Sequence, residues 1–233
     1  MADTPPESIP VIAIDGPGGA GKGTICRGIA ASLGWKLLDS GVLYRLVGFD
    51  AVQKGVDLND EPALAKLARE LDVEFLPGED DVRALLGGQD VTADIRTETA
   101  GRAASLVAAK PAVRLALIDR QRGFRCLPGL VADGRDMGSV VFEDSALKIF
   151  LTASVEERAR RRYKQLKGKG IDVSLSALSK DMADRDRLDA ERTAAPLKAC
   201  ADARILDTTS MSIEDVVFQV LEWAQEVFPQ VQA

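Results

Sequence analysis

The chain has 233 residues, of which 46% are hydrophobic and 28% are charged, a length and composition that suit one α/β domain with insertions. The absence of histidine excludes a Ser-His-Asp hydrolase, a histidine phosphocarrier and a histidine-ligated metal site. The formal net charge of -6 argues against wholesale binding of a nucleic-acid polymer.

The start of the chain is polar and rich in proline, and we expect residues 1–9 to form a flexible leader. It lacks the basic start and the apolar stretch of a secretory signal, and no apolar run in the chain reaches membrane-spanning length. The three cysteines, Cys26, Cys126 and Cys200, are scattered and form no CxxC pair, which is typical of a reducing compartment. These features predict a cytoplasmic protein with no membrane partner.

A glycine-rich turn follows the first predicted strand, the β-branched run at residues 11–14. A helical pattern then begins at Lys22 and ends near Leu33, before Gly34. The turn and the helix start match the phosphate-loop motif G-x-x-x-x-G-K. The matching residues, predicted to bind the phosphates of ATP, are Gly16, Pro17, Gly18, Gly19, Ala20, Gly21, Lys22, Gly23 and Thr24. Backbone N–H groups of such a loop surround phosphate oxygens, and Lys22 supplies a full positive charge to the β- and γ-phosphates.

The motif departs from its general form at Gly23, where a serine or threonine is usual. Thr24 follows one place later and is a candidate ligand for Mg²⁺, either through its hydroxyl or through a water molecule. The G-K-G-T ending resembles nucleoside monophosphate kinases rather than GTPases. A GTPase would also carry N-K-x-D, whereas the single asparagine, Asn59, is followed by Asp60.

Further strands are predicted at residues 35–38, 129–132, 147–151 and 203–206, and a second helix at 40–54. Strands that alternate with helices indicate a parallel sheet covered on both faces, here a P-loop NTPase-like α/β fold.

Two stretches break this alternation. Residues 73–92 contain Pro-Gly and Gly-Gly turns between short strand-like runs, which predicts a small antiparallel insert. Residues 154–196 are highly charged and helical in pattern, which is typical of a mobile lid, although a solvated helical hairpin has the same pattern. The predicted organisation is a core (10–64, 111–153 and 197–233), an acceptor-binding insert (65–110) and a lid (154–196).

Five segments together resemble the bacterial cytidylate kinases, a family of nucleoside monophosphate kinases. They are IDGPGGAGKGT (14–24), LLDSGVLYR (37–45), AASLVAAKPAVR (103–114), ADGRDMGSVVF (132–142) and RDRLDAERTAAPL (185–197). The resemblance runs through essentially the whole chain, from about Ile9 to Phe228. It implies transfer of the γ-phosphoryl of ATP, with Mg²⁺, to CMP or dCMP, giving CDP or dCDP and ADP. Nothing in the chain indicates a coiled coil, and we expect a monomer.

The resemblance also implies roles for individual residues. The set that it assigns to CMP comprises Ser40, Tyr44, Arg45, Ser105, Arg114, Arg135, Asp136, Arg185, Asp189 and Arg192. Within it, Arg45 and Arg135 are implied to bind the acceptor phosphate and Asp136 the cytosine. The chemistry agrees, because a carboxylate can accept a hydrogen bond from the cytosine N4 amino group but opposes the O4 oxygen of uracil.

The same resemblance nominates Arg114 and Arg192 for the other edge of the base, and Arg185 and Asp189, with Ser105 nearby, for the sugar. On a helix, Arg185, Asp189 and Arg192 would share one face. In nucleotide kinases lid arginines close over the γ-phosphoryl, and Arg158 and Arg162 are the candidates, with Lys22, for catalysis.

Other interpretations stay open from the sequence. The Arg185–Asp189 pair is also what a surface ion pair looks like, and the arginines of 158–162 also suit a solvated helix face. Within the kinase class the acceptor could be UMP, AMP or shikimate. From other classes, a non-catalytic nucleotide sensor and an RNA- or DNA-binding protein are the alternatives, and the acidic net charge disfavours the latter.

Overall fold

The computed structural model describes residues 9–76, 82–168 and 170–229, so all but the last residue of the predicted leader lies outside the described residues. The chain divides into two compact units. The first comprises Met1–Asp39 with Gln121–Ala233, and the second comprises Ser40–Arg120.

The strands of the described residues are β1 (Val11–Asp15), β2 (Lys36–Asp39), β3 (Val73–Leu76), β4 (Arg83–Leu86), β5 (Gln89–Asp90), β6 (Leu130–Gly134), β7 (Leu147–Thr152) and β8 (Arg204–Asp207). The α-helices are α1 (Lys22–Leu33), α2 (Ser40–Gln53), α3 (Glu61–Arg69), α4 (Glu98–Ala108), α5 (Pro111–Arg122), α6 (Val155–Gly168), α7 (Leu175–Glu191) and α8 (Ile213–Val227). A 3₁₀ segment (Asp94–Arg96) and a π-helical turn (Met137–Val141) complete the regular structure.

The first unit is built on a parallel sheet with the strand order β2-β6-β1-β7-β8. Every residue of β1 and of β6 is buried, as expected of central strands that are covered on both faces. The predicted parallel α/β fold is therefore confirmed, and its five predicted strands all form. The predicted first helix matches α1, which ends where Gly34 adopts a left-handed conformation with a φ of 63°.

The core of this unit lies where α1 and α8 pack on the sheet. Apolar side chains of β1, β7, α1 and α8 form one buried cluster, which includes Ile12, Ile14, Ile25, Ile29, Ile149, Leu151, Val216 and Val220. Trp35 and Phe228 close one side of it, with their ring centroids 5.6 Å apart in an edge-to-face arrangement. This packing holds the carboxyl end of β1, where the phosphate loop begins.

The second unit contains the antiparallel sheet β3-β4-β5, as predicted for residues 73–92. The unit is wider than the predicted insert of 65–110, because α2 packs closely on α4. A Cβ added at Gly48 would lie 3.1 Å from the Cβ of Ala103, so the two helices cross closely here and a side chain at this position would require its neighbours to shift. The assignment of 65–110 as the acceptor-binding part stays a prediction.

The predicted lid stretch forms the helices α6 and α7, which pack on each other. The side chain of Ser174 caps α7 by accepting a hydrogen bond from the N–H of Ala177. That these helices move as a lid stays a prediction. None of the helices within the described residues is long and apolar enough to cross a membrane.

Candidate active site

The phosphate loop leaves the central strand through a glycine at which any side chain would clash with the backbone of β7. Gly16 has a φ of +149°, and a Cβ there would lie 2.0 Å from the carbonyl oxygen of Leu151. At the other end of the loop, Gly21 precedes α1 with a φ of 90° and no side-chain cap. No side chain therefore caps the first N–H groups of α1, as in an anion site at a helix start.

Lys22 lies inside this loop. Its Nζ donates to the carbonyl oxygens of Gly16 at 3.0 Å and Pro17 at 3.1 Å, and lies 3.7 Å from Oδ1 of Asp133. Burial lowers the pKa of Lys22, and the positive charge of Arg135 lowers it further. A phosphate beside Lys22 would oppose both effects and raise its pKa, because it adds negative charge where cations are close together.

Acidic side chains meet at the carboxyl edge of the sheet, where ligands of open parallel sheets bind. The register pairs Asp15 with Gly134 and Asp39 with Asp133. Burial raises the pKa of Asp15 to about 6 and that of Asp133 to about 6. The neighbouring Lys22 and Arg135 oppose the rise at Asp133.

Arg135 and Arg185 both face Gly18. A Cβ at Gly18 would lie 3.4 Å from a terminal nitrogen of Arg135 and 3.8 Å from one of Arg185. The Nε of Arg135 donates to Oδ2 of Asp189 at 3.0 Å, and this partner helps to raise the pKa of Arg135 against the effect of burial. The structure thus brings three residues predicted to bind CMP, Arg135, Arg185 and Asp189, together beside the phosphate loop.

Arg158 of α6 connects the loop to α7. Its Nη1 donates to the carbonyl oxygen of Gly18 at 2.8 Å and to Oδ1 of Asp186 at 3.1 Å, while its Nη2 donates to Oδ2 of Asp186. Its Nε donates to the carbonyl oxygen of Ala153 at 3.0 Å, and the side chain is 3% exposed. All three nitrogens of the guanidinium donate hydrogen bonds, so its position is tightly defined.

A further arginine of α6 approaches the loop. Nη1 of Arg161 lies 3.9 Å from a Cβ added at Gly21, and it donates to Oγ1 of Thr208 at 3.2 Å. Arg162, which the sequence favoured for catalysis, donates to Gln165 within α6 at 2.6 Å, and its catalytic role stays a prediction. Arg161 and Arg162 are consecutive residues of α6, so their side chains point about 100° apart around the helix axis, and a run of adjacent arginines does not show which of them faces the loop.

In the second unit, α2 carries the predicted acceptor residues Ser40, Tyr44 and Arg45. Ser40 and Tyr44 are buried and one turn apart, and the guanidinium of Arg114 lies 5.5 Å from the ring centroid of Tyr44. Arg45 donates to the carbonyl oxygens of Ile95 at 2.7 Å and Thr97 at 3.2 Å.

Ser105 donates to Gly101 within α4 at 3.3 Å. Tyr44 and Arg114 are thus brought together, whereas Arg45 bonds to the 3₁₀ segment and its cap, and Ser105 bonds within its own helix.

Arg192 differs from its predicted placement. The helix α7 ends at Glu191, so Arg192 is the first residue beyond it, in extended conformation with a φ of -60° and a ψ of 139°. The three residues predicted on one helix face therefore include only two helical ones, Arg185 and Asp189. Beyond the helix, the Nε of Arg192 donates a hydrogen bond to the carbonyl oxygen of Ala195.

Few side chains near the loop could bind a metal ion. The described residues hold no group of three or more His, Cys, Asp or Glu side chains able to bind a metal ion. Oxygen ligands are nevertheless present, since the Thr24 hydroxyl follows the loop and Oδ2 of Asp133 would lie 3.7 Å from a Cβ at Gly23. This sparse oxygen set fits Mg²⁺, which keeps several waters and is bound largely through substrate phosphates.

The sequence did not single out Asp15, Arg161 or Asp186. Asp15 could have been found from its position at the end of an apolar strand, because a buried carboxylate needs hydrogen-bond partners. Asp186 had no such signal, because its partner Arg158 lies 28 residues away.

Comparisons with known proteins agree with this geometry. The family model described as cytidylate kinase matches residues 12–226. A cytidylate kinase of Pseudomonas paraeruginosa is 58% identical over 221 residues, which cover 94% of this chain and 96% of the relative. One of Pseudomonas putida is 60% identical over 213 residues, covering 91% and 93%. One of Aeromonas salmonicida is 53% identical over 221 residues, covering 95% and 96%. The chain therefore belongs to the cytidylate kinase family.

Proposed function

We propose that the protein transfers the γ-phosphoryl of ATP to CMP, and to dCMP, giving CDP or dCDP and ADP. The observation that carries the proposal is the grouping of Lys22, Arg135 and Arg158 around residues 16–19 of the phosphate loop. Phosphoryl transfer needs little covalent chemistry from a protein and depends on alignment and charge stabilisation. A set of cations fixed around a backbone anion site supplies both.

The acceptor phosphate is itself an anionic nucleophile, so the reaction requires no general base, and the absence of histidine is no obstacle. Lys22 neutralises the donor phosphates, Arg135 holds the acceptor phosphate, and Arg158 neutralises charge on the phosphoryl group in transfer. Thr24 and Asp133 are the side chains that would help to hold Mg²⁺, and the ion would supply further neutralisation of the phosphate charge. Met182 of α7, whose Cε lies 3.0 Å from a Cβ added at Gly19, helps to exclude water from the loop.

Base selection follows from Asp136, whose side chain is buried. Its carboxylate accepts from N4 of cytosine, whereas O4 of uracil would place two acceptors opposite each other in a site with little water. Such an opposition costs about 1–3 kcal/mol, or about 5- to 150-fold in preference. Arg114 and Arg192 are proposed to bind the other edge of the base, and Arg185 and Asp189 the sugar.

The remaining acceptor residues are proposed to act from α2 and α4. Arg45 binds the acceptor phosphate together with Arg135, Ser40 and Tyr44 lie near the nucleotide, and Ser105 lies near the sugar. We further propose that the protein acts on free nucleotides in the cytoplasm, as a monomer without a nucleic-acid polymer as partner, in keeping with its net charge of -6.

A coupled ADP-release assay tests the proposal with ATP, Mg²⁺ and, in turn, CMP, dCMP, UMP, AMP and shikimate. We expect fast turnover with CMP and dCMP and much slower turnover with UMP. Equal rates with CMP and UMP would support kinase activity but contradict the proposed role of Asp136 in selecting cytosine. Binding of ATP without turnover on any acceptor would instead favour a nucleotide sensor.

The variant Asp136→Ala addresses the base directly. We expect it to narrow the ratio of kcat/KM for CMP to that for UMP by about 10-fold, since the opposed acceptor is gone. Lys180→Ala, a substitution of a lysine on α7 outside the assigned residues, serves as the control and should leave the ratio unchanged.

A further inference from the structure

The carboxylate of Asp15 holds two successive peptide groups of another loop. Its Oδ1 accepts a hydrogen bond from the N–H of Met137 at 2.8 Å, and its Oδ2 accepts one from the N–H of Gly138 at 2.9 Å. Asp15 is 5% exposed, so neither bond competes with bulk water. Each carboxylate oxygen therefore has its own donor, 122 or 123 residues away in the sequence.

These two peptide groups begin the π-helical turn that follows Asp136. The turn closes through N–H groups of Val140 and Val141, which donate to the carbonyl oxygen of Asp136 at 3.0 and 3.2 Å. The first N–H groups of a helical turn have no partner within it. Asp15 supplies the missing acceptors and thereby fixes the backbone immediately after Asp136.

Asp15 acts from a rigid support. It ends the central strand β1, paired with Gly134 on one side and Phe150 on the other. The next residue, Gly16, packs against the carbonyl of Leu151 with no room for a Cβ. A side chain that projects from such a position can define the place of a neighbouring loop to a fraction of an ångström.

The residue type is specific to this task. An asparagine of the same size offers one acceptor, and its amide N–H₂ would face the second backbone donor. Burial raises the pKa of Asp15 to about 6, and hydrogen bonds from Gly138 and Met137 oppose that rise. A neutral side chain would avoid the cost of burying a charge but could not hold both peptide groups.

We propose that Asp15 is a positioning residue that sets the discrimination between cytosine and uracil, by holding the peptide groups that carry Asp136. The inference rests on the proposed role of Asp136 at the base. Hydrogen bonds weaken steeply with misalignment, and a small displacement of the Asp136 backbone changes the distance from its carboxylate to N4. The phosphate contacts of Lys22 do not depend on this turn, so ATP use is affected less than base selection.

The test compares kcat/KM for CMP and for UMP, at saturating ATP and Mg²⁺, between wild type and Asp15→Asn. We expect the CMP-to-UMP ratio to fall about 10-fold, while KM for ATP changes less than about threefold. An unchanged ratio in Asp15→Asn, in a protein whose ratio does respond to Asp136→Ala, would overturn the inference. An unchanged ratio in Asp136→Ala itself would instead overturn the proposed reading of the base.

A matched control separates positioning from general stability. Ser145 holds the opposite end of β1, where its Oγ lies 2.7 Å from the carbonyl oxygen of Val11 and 3.0 Å from that of Leu147, and it is also buried. Ser145→Ala should lower the melting temperature without changing the CMP-to-UMP ratio. If it changes the ratio as much as Asp15→Asn does, the effect comes from the strand and the inference fails.

A second variant covers the case in which Asp15→Asn does not fold. Asp15→Ser removes both carboxylate oxygens and leaves a single hydroxyl one bond closer to the backbone, without an amide that faces the donors, so we expect the ratio to fall in the same direction. A ratio in this variant equal to that of wild type would contradict the inference.

Discussion

Asp186 offers the sharpest test of the proposed role of Arg158. The guanidinium is 3% exposed and makes a two-pronged ion pair with Asp186, whose side chain is 25% exposed. We expect Asp186→Asn to keep the shape of the pair but to remove its negative charge. Arg158 would then retain its bonds to the carbonyl oxygens of Gly18 and Ala153 and lose its only described carboxylate partner.

The magnitude follows from burial. Hydrogen bonds to charged groups contribute about 1.5–3 kcal/mol each, and loss of one partner of a buried pair costs about 3–5 kcal/mol. Because Asp186 is partly exposed and asparagine keeps one acceptor, we expect a loss of stability of about 2 kcal/mol. Misplacement of Arg158 should also lower kcat by about 10- to 100-fold, equivalent to about 1.4–2.7 kcal/mol of transition-state stabilisation.

This expectation is checked by measuring kcat in the coupled ADP-release assay and the free energy of unfolding in urea. Asp184→Asn is the matched control, because Asp184 lies on the same helix and pairs with Arg187 at 3.2 Å on the surface. Exposed pairs contribute little, so kcat and stability should barely change there. If Asp186→Asn loses stability but keeps a kcat within twofold of wild type, Arg158 has a structural role only.

Three further predictions concern the loop and its carboxylates. Lys22→Met should lower kcat about 10²- to 10³-fold. The affinity for CMP, measured by calorimetry, should stay within a few-fold of wild type, because Lys22 lies between loop carbonyls and Asp133 rather than on α2. Turnover at the wild-type rate would refute the phosphate-loop assignment. Gly16→Ala should cost about 3 kcal/mol or more in urea unfolding, since its Cβ meets the Leu151 carbonyl at 2.0 Å. The control Gly34→Ala also has a positive φ but meets nothing within 4 Å, so it should cost only about 1–2 kcal/mol; equal losses would contradict the steric argument. Burial raises the pKa of Asp15 from 3.8 to about 6, so its contribution to stability is present below pH 3.8 and lost as pH rises through 6. The free energy of unfolding of Asp15→Asn relative to wild type should therefore rise by about 2.4 kcal/mol between pH 4 and pH 7, and a difference independent of pH would show that Asp15 does not titrate there.

The parts of the fold that could be predicted depend on local patterns. Short apolar runs identified all five strands of the parallel sheet, and the central ones are buried on both faces. The Gly-Gly turn between β4 and β5 could be predicted because glycine is the residue that adopts positive φ most readily, as both Gly87 and Gly88 do.

The extent of the second unit could not be predicted, because it depends on contact between distant segments. The packing of Gly48 on Ala103 joins residues that are far apart in sequence, and no local signal marks it. The end of α7 before Arg192 was missed for a different reason. The spacing of Arg185, Asp189 and Arg192 is that of one helix face, so the sequence pattern did not mark a helix end. The hydrogen bond from Arg192 to the Ala195 carbonyl depends on the conformation of the residues that follow.

The candidate site shows the same division. Residues in the phosphate loop could be named because the motif is contiguous, and Arg135, Arg185 and Asp189 do lie together beside it. By contrast, the partners that orient the named residues come from elsewhere in the chain. Asp15 and Asp186 each bond to a segment more than 25 residues away, and spacing alone could not pair them.

The pairing of cations with carboxylates around the phosphate loop has a consequence for competing anions. Lys22, Arg135 and Arg158 lie beside Asp133, Asp189 and Asp186, respectively. An incoming anion must therefore replace an existing partner, and its gain is the difference between two interactions. We expect inorganic phosphate or sulfate to reach fewer of these cations than a nucleotide that carries several phosphoryl groups. The internal carboxylates would then act as a threshold that favours polyphosphates over the abundant small anions of a cell.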